Sequence, residues 1–169
     1  MNYASGKVSK LEYAKFLAAS LAYVVLKQRD SVGLSVFDSE VRAYLPPRSA
    51  MGVILQIDQL LRDIKPTPKT SIAKQLHDIA LMMKRRSFVV LISDLFSDVD
   101  DILAGLDHLR HDGHNVVVLH TLDPYELEFP FKGTWLFEGL EGEEPLTTQP
   151  ERIREDYLAS FGEYMEALK

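Results

Sequence analysis

Ser93 and Asp94 stand where the apolar run Phe88–Ile92 stops, and they are the residues of this chain best placed to do chemistry. A hydroxyl and a carboxylate at the end of a buried strand lie in the crevice where open α/β sheets bind ligands and metals. Thr70, just before another apolar segment, offers a second hydroxyl, either as a helix N-cap or as a site group. His108, His111 and His114 have the look of a zinc cluster. The first two fall on a predicted helix and the third follows Gly113, so a solvated helix end is the expected reading. Asp98, Asp100 and Asp101 form an acidic run at the start of that helix, where negative charge suits the macrodipole. Asp123-Pro124 reads as turn chemistry. Phe129 and Phe131, near Trp135, read as a packed connection.

Few reactions fit this set. A metal-dependent phosphohydrolase with Asp94 as nucleophile is the enzymatic alternative. It needs a second acidic residue for the metal and a basic group on the phosphate. No Asp-x-Asp pair directly follows a predicted strand, and no glycine-rich phosphate loop or G-x-S-x-G elbow occurs. The chain has no cysteine, which excludes disulfides, thiolate nucleophiles and cysteine-ligated metals. A non-enzymatic role is therefore expected.

Bulk properties agree with a single soluble domain of 169 residues, 46% apolar and 26% charged. A formal charge of −6 argues against broad nucleic-acid binding, which needs a basic footprint. The apolar stretch Phe16–Leu26 is too short to span a bilayer, and residues 1–15 are too polar for a secretory signal. A cytoplasmic location is expected, with membrane association only through an anchor in flanking segments.

The elements that must position Asp94 follow from periodicity. Leu11, Ala14, Leu17, Ala18, Leu21, Val24 and Val25 recur at helical spacing over about 9–29. Residues 31–37 and 41–45 read as two strands joined by the Asp38-Ser39-Glu40 turn, a hairpin that Pro46-Pro47 stops. Residues 49–63 and 70–83 give two more amphipathic helices, the second ending in the basic cluster Lys84-Arg85-Arg86. A strand (88–92), a helix capped by Asp98 and closed by Gly113, and a strand over 115–121 come next. The second strand is apolar throughout, as in a central parallel strand covered on both faces. Short strands at 134–137 and 144–148 and a helix over 151–168 complete the chain. Alternating strands and helices predict an α/β fold, a mainly parallel sheet with helices on both faces and an antiparallel edge hairpin. The chain opens with a helix, although doubly wound folds normally open with a central strand.

The segments KLEYAKFLAASLAYVVLKQRDSVGLSVFDSEVRAYLPPRSA, KTSIAKQL, SFVVLISDLF, GHNVVVLHTLDPYELEFPF and WLFEGLEG occur in this order. Together they resemble von Willebrand factor A-like (vWA) domains of the bacterial subfamily called domain of unknown function fifty-eight. That subfamily is usually found beside MoxR-type AAA+ ATPases. The resemblance covers essentially the whole chain, residues 1–169, and implies a Rossmann-like fold of the vWA type.

It also implies a metal-ion-dependent adhesion site. Thr70 matches the family's threonine ligand and Asp94 its late-strand aspartate, while the Asp-x-Ser-x-Ser motif does not occur in this sequence. The expectation is a domain cut just after its first strand, with an incomplete site that holds no metal. Mg²⁺ or Mn²⁺ is expected only with the upstream motif present. The implied function is non-catalytic protein–protein interaction, with a MoxR-type ATPase as partner in the assembly or maturation of a client. A slot in place of the first strand also predicts one of two outcomes: the flanking strands close up in a rearranged sheet, or the chain forms a homo-oligomer that covers the gap.

Overall fold

In a computed structural model, the described residues are 1, 3–65, 72–138 and 144–169. Thr70 lies outside them. The chain folds as a mixed α/β protein. Its first helix, α1 (Lys10–Lys27), starts at a capping box in which Ser9 accepts from the Glu12 amide and Glu12 reaches back to the Ser9 amide. The strands β1 (Val32–Phe37) and β2 (Val41–Arg48) form the predicted antiparallel hairpin. Asp38 holds its turn by accepting from the Glu40 amide and the Arg42 guanidinium. Pro46 and Pro47 do not end β2, contrary to the sequence expectation. Among the described residues only β1 pairs with this strand, and an edge strand tolerates residues that lack an N–H.

Helices α2 (Val53–Asp63) and α3 (Ile72–Met82) follow. Next come β3 (Phe88–Ser93), α4 (Val99–His111) and β4 (Asn115–His120). This βαβ unit is as the sequence predicts. Asp98 caps α4 by accepting from the Asp100 and Asp101 amides, and Gly113 adopts φ +84° just beyond the helix. The parallel pair runs in register from Phe88 opposite Asn115 to Ser93 opposite His120. The short helix α5 (Pro124–Glu128), the hairpin of β5 (Trp135–Phe137) and β6 (Leu146–Thr148), and α6 (Pro150–Ala167) close the chain.

The strands pair two by two rather than in one mainly parallel sheet. Among the described residues, β1 bonds only to β2, β3 only to β4, and β5 only to β6. One pair is parallel and two are antiparallel. The core divides accordingly. Leu76, Leu91, Ile102 and Leu109 pack between the β3–β4 pair and the helices α3 and α4. Ala22, Leu26, Val53 and Ile57 pack where α1 and α2 cover the hairpin. Phe37, at the end of β1, packs against the first of these clusters.

The expectation that the second strand is covered on both faces needs correction. Val90 and Val117, opposite one another in register, are 36% and 39% exposed. Their neighbours Leu91 and Val118 point the other way, into the helix-covered core. The face that carries Val90 and Val117 is therefore partly open to solvent among the described residues. No helix among the described residues is long and apolar enough to cross a membrane.

Candidate functional site

Asp94 sits immediately beyond β3, at the carboxyl end of the parallel pair. The backbone there is constrained. Ser93 Oγ accepts from the Leu95 amide at 3.0 Å, and the Ser93 carbonyl accepts from the Thr121 amide at 2.9 Å. His120 donates from Nε2 to the Asp94 carbonyl at 3.0 Å. The Tyr164 hydroxyl of α6 donates to the Leu95 carbonyl. Leu95 itself takes φ +49°, a left-handed conformation that costs a branched side chain about 1 kcal/mol or more. Its side chain is buried, so the turn is bent to sink Leu95, and the next residue, Phe96, is left 71% exposed.

The carboxylate of Asp94 is held by cations. Its Oδ2 lies 2.7 Å from the α-amino group of Met1 and 3.2 Å from Lys10 Nζ. Lys10 Nζ is also 2.6 Å from Glu126 Oε1. Burial pushes the Asp94 carboxyl up, and the two neighbouring ammonium groups outweigh it, so its pKa falls below the ordinary value. Asp123 is held low as well. Burial raises it, but hydrogen bonds from Ser5 and from the Tyr125 amide, with the charge of Lys10, lower it further.

Asp123 and Glu126 form a capping box at α5. Asp123 Oδ1 accepts from the Tyr125 amide, and Glu126 Oε2 accepts from the Asp123 amide at 2.8 Å. The Asp123 side chain therefore does more than make a turn. Its second oxygen accepts from the Ser5 amide at 2.8 Å and ties the chain's start to the end of β4. Tyr157 of α6 donates to the Glu126 carbonyl at 2.9 Å. Burial first, then the charges of Glu126 and Tyr3, raises the Tyr157 hydroxyl above its ordinary pKa.

The donor set around Asp94 among the described residues does not fit a divalent cation. Among the described residues, no group of three or more His, Cys, Asp or Glu side chains converges on a metal position. Asp94 faces two ammonium groups, and Ser93 Oγ is engaged by a backbone amide. The histidines disperse, but not all of them at a solvated helix end. His114 is buried with Nδ1 accepting from the Ser87 amide, while His108 stacks against His77 with ring centroids 4.3 Å apart. The aromatic segment is packed too. Phe129 is buried and stacks on Tyr157 at 4.3 Å, and Phe131 meets Trp135 edge-on at 5.1 Å.

Sequence reasoning missed Lys10 and Glu126. The signal was there in both cases. A lysine in the first helical position after Ser9 opposes the macrodipole and so calls for an anion. Asp123-Pro-x-Glu126 has the spacing of a capping box.

A family profile described as "Protein of unknown function DUF58" matches residues 1–165. The chain belongs to the DUF58 family. No curated protein and no solved structure matches it. Within this DUF58 domain, the carboxyl ends of β3 and β4 gather Asp94, Lys10, Asp123 and Glu126 into one connected polar group, with Phe96 exposed beside it.

Proposed function

We propose that this DUF58 chain is a non-catalytic protein–protein interaction module of the vWA type. It engages a MoxR-type AAA+ ATPase, or that ATPase's client, through the carboxyl ends of β3 and β4. The observation that carries this reading is the Asp94 turn. There, a strained and buried Leu95 leaves a charged group and an exposed Phe96 side by side. An exposed aromatic next to a fixed polar network is a natural interface anchor. The ion pairs on Asp94 count against its use as a phosphohydrolase nucleophile, since they stabilise the charge a nucleophile must give up.

Calorimetric titration with a purified MoxR-type ATPase from the same organism tests the reading. Saturable binding that Phe96→Ser weakens at least about tenfold, or about 1.4 kcal/mol, is the expected result. No heat of binding at 100-fold excess over about 1 μM chain would reject it.

A further inference from the structure

The two ends of the parallel pair carry opposite charge. At the amino end, Lys84, Arg85 and Arg86 enter β3, and Arg110 and His111 finish α4 beside them. The contact is direct, because the Arg86 side chain covers Gly113 just past α4. None of Lys84, Arg85 and Arg86 forms an ion pair with another described residue, and all three are exposed. Leu81 and Phe88, 69% and 67% exposed, flank them.

At the carboxyl end, Asp98, Asp100 and Asp101 open α4, and Glu128 closes α5, all exposed. Exposed Phe96 and Leu127 flank these acids. The edges lie a six-residue strand apart, roughly 20 Å, too far for one chain to pair them with each other.

We infer that the basic amino edge of the β3–β4 pair docks on the acidic carboxyl edge of a second copy of this chain. The contact would be head-to-tail. Each copy keeps one free edge of each sign, so assembly continues past the dimer unless rotation closes a ring. Like edges repel, which disfavours a contact of either edge with the same edge of a second copy. The apolar side chains beside each edge supply burial, and the charges set direction and register. A second copy is the favoured occupant because the acidic edge it needs is present on the chain itself. A bare anionic surface would leave the exposed acids of the carboxyl edge with no counterpart.

Sedimentation velocity on the whole chain, with a charge swap, tests this. In about 50 mM salt, where screening is weak, wild type sediments as species that grow with concentration beyond a dimer. Raising salt to about 500 mM lowers the association constant at least tenfold. Arg85→Glu/Arg86→Glu and Asp100→Lys/Asp101→Lys each stay monomeric alone, and an equimolar mixture of the two regains association. Circular dichroism checks that each variant folds; for one that does not, the milder Arg85→Gln/Arg86→Gln or Asp100→Asn/Asp101→Asn takes its place. Monomeric wild type at about 200 μM overturns the proposal. So does association that both variants retain, which would place the contact elsewhere on the chain. A mixture that stays monomeric overturns it equally.

Discussion

Lys10 Nζ lies 3.2 Å from Asp94 Oδ2, which fastens the first turn of α1 to the end of β3. The same ammonium reaches Glu126 at the start of α5, and its side chain is only 9% exposed. A nearly buried cation therefore joins three segments that are distant in sequence.

Removing that cation leaves two partly buried carboxylates short of a partner. Lys10→Met is expected to destabilise the fold by about 2–3 kcal/mol. The estimate sits below a fully buried pair because the Glu126 side chain is 27% exposed and Asp94 keeps the Met1 amino group. Urea unfolding followed by far-ultraviolet circular dichroism measures it. A loss under 0.5 kcal/mol would mean that the network is decorative.

Acid should weaken the protein through Asp94 and Asp123. Both carboxyls are held below their ordinary pKa in the folded state. Their contribution is therefore complete above the unfolded value of about 4, and it is lost as pH falls through the depressed folded values. Wild-type unfolding free energy should drop between about pH 4 and pH 2. Asp94→Asn should start lower at pH 7 and fall less steeply across that window. Parallel curves for the two proteins would contradict the assignment.

Gly113 closes α4 in a backbone conformation that favours glycine. It takes φ +84°, and a Cβ there would meet Arg86 Nε at 2.8 Å. The arginine can swing aside, so the left-handed backbone sets the cost. Gly113→Ala should lose about 1 kcal/mol, read as a lowered urea midpoint with an unchanged slope.

Ile102 has no exposed surface and sits between α3, α4 and β3. Ile102→Ala should cost about 3 kcal/mol, and Ile102→Val about 1 kcal/mol. Leu103→Ala, one residue on and 40% exposed, serves as the comparison and should cost under 1 kcal/mol. Thermal unfolding of the three variants separates the two positions.

Local signals in the sequence located nearly every element. Helical spacing from Leu11 to Val25, the Asp98 cap and Gly113 mark their boundaries within a few residues, because caps and periodicity are short-range properties. Pairing of the strands is not short-range. Nothing between Val32 and Phe37 states which strand, if any, bonds to its second edge, and among the described residues it pairs only with β2. Pro46 misled for a related reason, since a proline ends a central strand but not an edge one. At the site, Asp94 was legible from its place at a strand end. Lys10 reaches it from a helix far upstream, and only tertiary packing brings the two together.

Hydrogen exchange of this chain, alone and with saturating MoxR-type ATPase, tests the proposed interaction surface most directly. The account predicts slowed exchange at the amides of 95–98 and 125–128, around Phe96 and Glu126. A bound complex that leaves those amides exchanging as in the free chain would contradict it.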